Sequence, residues 1–163
     1  MISKKQNFLE PYIFETVISS VPLVSVDLVI ENTQNKFLMG LRKNRPAQGH
    51  WFVPGGRIMK EETIREAISR VLLTEIGFDI DNAQVEEIGS FDHIYKDSIF
   101  SDDGKVSTHY VALGFHINLD NAPKITQGDG QHAELRWFST KEIFDNEKVH
   151  EYSRDYIRKI IKT

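Results

Sequence analysis

The apolar positions change period several times along the chain, and each change predicts an element. Between Glu10 and Ser20, the residues Ile13, Phe14, Val17 and Ile18 recur at helical spacing, which predicts a short amphipathic helix ended by Pro22. LVSVDLVIE, Leu23 to Glu31, is β-branched and mostly apolar. A polar turn from Asn32 to Asn35 and then KFLMGLR complete a hairpin. Asp27 interrupts the first of these strands. It reads equally as an edge position facing solvent or as a side chain aimed at something specific.

NRPAQGH, residues 44 to 50, reads as a loop, and WFV as a short strand stopped by Pro54. Glu62 to Ile76 is the longest predicted helix, with Ile64, Ala67, Ile68 and Val71 on one face and Gly77 as its stop. Val85 to Tyr95 and Val106 to Leu119 read as long strands joined by the polar run KDSIFSDDGK. Arg136 to Phe138 is a further short strand. Thr140, with Glu142 behind it, opens a helical region, and DYIRKII near the end is helical too. Repeats and interdomain linkers are absent from the sequence. The pattern therefore predicts one α/β domain over residues 1–163, its sheet covered by helices, with 1–20 as a helical N-terminal extension.

Composition narrows the function classes. Hydrophobic residues at 40% and charged residues at 27% of 163 suit one packed core rather than disorder. The formal charge of -4, without a basic block, argues against nucleic acid or an anionic membrane as partner. Trp51 and Phe52 therefore read as packing rather than as a base-stacking platform. The absence of cysteine excludes disulfides and thiolate metal sites. MISKKQNFLE lacks a signal-peptide core, and no stretch approaches membrane-spanning length, so a cytoplasmic location is expected. Phe8, Tyr12 and Phe14 are expected to cover an edge or to form a subunit contact.

Candidate chemistry centres on GHWFVPGGR and the helix behind it. Gly55 and Gly56 permit close approach of another group. Glu62, Glu66 and Arg70 fall one turn apart and read as an exposed salt-bridge ladder. Glu75 lies near the edge of the buried stripe, where a carboxylate needs a metal or a donor. Arg42 and Arg57 flank the glycine loop and could clamp a diphosphate from two sides. His132, in the polar run GDGQHAE, can titrate near neutrality and accept a proton from water, or simply face solvent. His93 and Tyr110 read equally as strand residues with satisfied hydrogen bonds.

The spacing GG-x5-E-x7-R-x4-E-x-G, carried here by Gly56, Glu62, Arg70, Glu75 and Gly77, resembles the Nudix box. Val71 and Thr74 stand where the usual motif has two further glutamates. That departure, with VPLVSVDLVIEN, NRPAQGHWFVPGGR, STHYVALGF and QHAELRW, is similar to the GDP-mannose mannosyl hydrolase branch of the Nudix superfamily. The resemblance implies a Nudix-like mixed β-sheet packed between helices, in a homodimer. It implies Mg²⁺, with Mn²⁺ as a substitute, held by the Gly55 carbonyl, Glu75 and Gln131. It implies His132 as general base, Arg42 and Arg57 beside the phosphates, and Asp27, His93 and Tyr110 around substrate and leaving group. The implied reaction is hydrolysis of GDP-mannose, or GDP-glucose, by attack of water at the anomeric carbon with inversion. A pyrophosphohydrolase attacking phosphorus, or an inactive nucleotide-binding module, are the alternatives.

Overall fold

The computed structural model describes residues 9–79, 84–101, 103–120 and 132–162; of His132 and Ala133 it describes the backbone alone. Helix α1, Pro11–Ser20, leads into β1, Leu23–Asn32, and β2, Lys36–Arg42. Two short strands, β3 (Trp51–Phe52) and β4 (Gly55–Arg57), precede α2, Ile64–Ile76. Strands β5 (Gln84–Tyr95), β6 (Thr108–Leu119) and β7 (His132–Ser139) follow, and helices α3 (Thr140–Asp145) and α4 (Glu151–Ile161) close the chain. The sheet is mixed, in the order β3-β2-β1-β6-β5, with β4 added to β1 and β7 to β2.

Strand β1 is the hub. It runs parallel to β6 from Leu23 to Asn32, while its other edge is shared between two antiparallel partners. Ser25 to Asp27 pair with Arg57 to Gly55 of β4, and Glu31 pairs with Phe37 of β2. Asp27 is therefore interior and only 6% exposed, and its reading as a solvent-facing edge residue is corrected. Because side chains alternate along a strand, Val26, Leu28 and Ile30 face α2, in one apolar cluster with Ala67, Ile68, Val71, Leu72 and Ile76. Val29 faces the other way, into a second cluster with Trp51, Phe138, Ile143, Tyr156 and Ile157 under α3 and α4. Helices thus cover both faces of a mixed sheet, and Trp51 is a packing residue, its ring edge-on to Phe138 at 4.9 Å.

The ends of α2 are set locally. Thr63 caps it, accepting from the Glu66 amide while Glu66 reaches back to the Thr63 amide, and Gly77 closes it at φ 65°. Glu62 consequently lies before the helix and Glu66 is committed to the cap, so the expected ladder does not form. Glu62 instead takes Arg70 bidentately, at 2.7 and 2.9 Å. Arg70 also donates to the Arg57 carbonyl at 2.9 Å, which ties the glycine strand to the helix. The same capping box recurs at α3, with Ser139 and Glu142, one residue before the predicted start.

Candidate active site

Two sharp approaches place the glycine strand against β1. A Cβ on Gly55 would stand 2.7 Å from Asp27 Oδ1 and 2.8 Å from the Val26 carbonyl oxygen, and one on Gly56 would meet Val71 Cγ2 at 3.1 Å. The chain turns here over a cleft of about 710 Å³. Its lining gathers Asp27, Arg42, Gly55, Arg57, Glu75, His93 and Tyr110, seven of the nine residues singled out above. Gln131 lies outside the described residues. His132 opens β7, its backbone paired with Arg42 of β2, which puts the start of that strand beside one of the cleft arginines.

Each side chain has a local reason for its place. Glu75 occupies the last turn of α2, inside the buried stripe Ala67, Ile68, Val71, Leu72 and Ile76, and is 5% exposed. A carboxylate in an apolar stripe is costly, and this one looks onto the cleft. Val71, where the standard box has a glutamate, is 1% exposed in the core. Thr74, at the other such position, bonds back to the Arg70 carbonyl at 2.8 Å. Among the described residues, no three acidic or histidine side chains come together as a metal site. One carboxylate beside a glycine strand still suits a hard divalent ion that completes its shell with water and substrate oxygens.

The arginines are held by neutral groups. Arg42 donates from Nε to the Pro46 carbonyl at 2.8 Å and lies over the Phe52 ring. Arg57 lies over Phe14 at 4.6 Å and contacts Met59 Sδ. Among the described residues neither has a carboxylate within ion-pair distance, so both leave positive charge facing the cleft. A dianionic ligand fits that field.

The floor is a proton-bearing network. Tyr156 of α4 donates to Asp27 Oδ2 at 2.9 Å, Ser25 approaches Oδ1 at 3.3 Å, and His93 Nδ1 is 3.6 Å from Oδ2. Burial pushes the Asp27 carboxyl up to about 6, against the lowering effects of Tyr156, Arg42 and Ser25. Burial, and then the nearby His150, push His93 down to about 4, so it is neutral at pH 7. His93 stacks on Tyr152 at 4.1 Å with the rings 2° from parallel. Burial raises the Tyr95 and Tyr110 phenols, which stay protonated and can donate to a ligand. At neutral pH the cleft therefore offers a largely ionised Asp27 on its floor, the guanidinium groups of Arg42 and Arg57 among its lining, and neutral phenol donors from Tyr95 and Tyr110.

Sequence reasoning missed Tyr156 and Phe14 as parts of this site. DYIRKII signalled only a helix, and the aromatic face of the first helix only a cover or a contact. Nothing in their spacing pointed to Asp27, 129 positions from Tyr156, or to Arg57 as the partner of Phe14.

The NUDIX domain family matches residues 21–160. A Haloferax volcanii relative described as low-salt glycan biosynthesis protein Agl8 is 38% identical over 144 residues, 88% of this chain and 85% of the relative. An ADP-ribose pyrophosphatase of Methanocaldococcus jannaschii is 30% identical over 139 residues, 84% of this chain and 74% of the relative. The solved MutT protein from Methanosarcina mazei Go1 superimposes with a TM-score of 0.67 at 22% identity, covering 88% of this chain and 96% of that one. At that identity the likeness speaks for the fold alone. With the family matched over nearly the whole chain and the mixed sheet packed between helices, the chain belongs to the Nudix superfamily.

Proposed function

We propose that this protein hydrolyses a nucleoside-diphosphate-linked sugar, GDP-mannose or GDP-glucose, with a divalent cation, Mg²⁺, as cofactor. Water attacks the anomeric carbon; the bond from that carbon to the diphosphate oxygen breaks, and GDP leaves with the electron pair. The free sugar is released with inverted configuration. The observation that carries this reading is the state of helix α2: one box carboxylate, Glu75, lines the cleft, while the two other box positions on that lining, Val71 and Thr74, carry no acid. A leaving diphosphate asks for charge neutralisation at its own oxygens, and a single ion with two arginines can supply it.

Glu75, the Gly55 carbonyl and Gln131 would hold the ion, whose chemistry when bound is to polarise the diphosphate oxygens. Arg42 and Arg57 would neutralise charge as it grows on the leaving group. His132 would take the proton of the attacking water while an oxocarbenium-like centre develops at carbon. Asp27, ionised above about pH 6, would accept hydrogen bonds from sugar hydroxyls, with Tyr110 and the neutral His93 orienting the rest.

A second reading is carried by the Methanocaldococcus jannaschii relative, whose name states a pyrophosphatase acting on ADP-ribose. The same cleft would then serve attack on phosphorus, and the named relatives weigh toward this reading more than toward attack at carbon. Product analysis separates the two. GDP and free mannose are expected from GDP-mannose; GMP and mannose 1-phosphate would replace the first reading with the second.

A further inference from the structure

Helix α1 lies before residue 21, outside the span matched to the family, yet it forms one wall of the cleft through Phe14 and Ile18. Ile18 is 7% exposed and anchors the helix. Phe14 is half-buried; the Arg57 guanidinium lies 4.6 Å from its ring centroid, and Phe100 stands edge-on to it at 5.8 Å. Phe100 belongs to a turn that is itself fixed. Its amide bonds to Ser98 Oγ at 3.1 Å, the Ser98 amide bonds to the Ser101 carbonyl at 2.8 Å, and Ser98 is fully buried.

We propose that Phe14 is a positioning residue for Arg57, making α1 part of the diphosphate-binding apparatus. The argument rests on what the brace is made of. A carboxylate at this place would orient Arg57 but cancel its charge. An aromatic face holds a guanidinium by its ring quadrupole and leaves the full charge, with N–H donors at the guanidinium edges, for phosphate oxygens. The backbone of Arg57 is pinned separately, by Arg70 donating to its carbonyl at 2.9 Å. Arg57 is thus held at both ends, main chain by the box helix and side chain by α1. An arginine held in one rotamer before binding loses less side-chain entropy when the anion arrives. Arg42, over Phe52 and against the Pro46 carbonyl, has a neutral brace of the same kind.

The proposal rests on the reading of Arg57 as a diphosphate ligand, and Arg57→Gln tests that part by itself. Inorganic pyrophosphate with Mg²⁺ is the probe, its dissociation constant measured by calorimetry, with GDP in parallel. Phe14→Leu is expected to weaken pyrophosphate binding about three- to tenfold, Phe14→Tyr to retain it, and Phe14→Leu to add nothing in an Arg57→Gln background. An unshifted thermal midpoint shows that α1 remains docked, and Phe14→Met serves as the second variant if the leucine destabilises it. Wild-type pyrophosphate affinity in Phe14→Leu overturns the brace. So does a loss confined to GDP, which would place Phe14 against the base, or a loss that persists without Arg57. Unchanged pyrophosphate binding in Arg57→Gln overturns it together with the assignment of Arg57. None of these results depends on which bond is hydrolysed, which product analysis decides.

Discussion

The Tyr156 hydroxyl donates to Asp27 Oδ2 at 2.9 Å across 129 positions of sequence, joining the floor of the cleft to the C-terminal helix. That bond, with Ser25 and Arg42, partly offsets the cost of burying the carboxylate, and the balance still leaves Asp27 raised from 3.8 to about 6. A carboxyl whose folded value is raised binds its proton more tightly when folded. Its contribution to stability is complete below pH 3.8 and is lost as pH rises through 6.

The first prediction follows from that sign. Because its carboxyl is raised from 3.8 to about 6, ionised Asp27 costs about 3 kcal/mol well above pH 6. Asp27→Asn should therefore stabilise the metal-free protein by about 1–3 kcal/mol at pH 8, a gain that vanishes near pH 4, while activity falls. His93 acts in the opposite sense in both proteins: held down to about 4, it favours the fold above pH 6.5 and loses that contribution as pH falls through 4. Urea unfolding at pH 4, 6 and 8 in a chelator checks the difference. A variant less stable than wild type at pH 8 contradicts it.

A second prediction separates ligand from base. Glu75→Gln, at a site 5% exposed, should weaken Mg²⁺ binding about tenfold or more and lower the rate with it. His132→Gln should keep Mg²⁺ affinity and slow bond breaking by ~10²–10⁴-fold. Metal titration and single-turnover rates on both variants measure this. A histidine variant with normal chemistry removes His132 from its role.

The third concerns the two box positions that lack carboxylates. Val71 is 1% exposed and packs under Gly56, so Val71→Glu should cost about 3 kcal/mol or more and mostly unfold the chain. Thr74 is exposed at the rim of the cleft, so Thr74→Glu should fold normally. The added carboxylate should tighten binding of a second Mn²⁺, read by titration with paramagnetic detection, without raising hydrolysis of GDP-mannose. A large rise in rate would mean that the missing acids had limited the reaction.

Much of this architecture was legible in the chain because it is periodic. The β-branched, mostly apolar run of β1 and the 3.6-residue stripe of α2 are local signals, and both appear in the fold close to their expected bounds. What failed was neighbourhood. Asp27 read equally as an edge position or as a side chain with a specific target, because a sequence does not reveal that β4 and β6 flank β1. Glu62 and Glu66 read as one ladder because helical spacing was extended past Thr63, although Thr63 and Glu66 already stood at capping-box distance. The glycine loop, both arginines and Glu75 were legible from a motif, since loop and helix are contiguous. Tyr156 and Phe14 were not, because each meets its partner in the site, Asp27 or Arg57, from a helix that only the tertiary fold brings near.

The measurement that tests the account most directly is hydrolysis of GDP-mannose in ¹⁸O-water with Mg²⁺, followed by mass spectrometry of both products. Attack at carbon predicts one ¹⁸O on the free sugar and an unlabelled GDP. Label on a phosphate of the nucleotide, or on mannose 1-phosphate, would contradict it and establish attack on phosphorus.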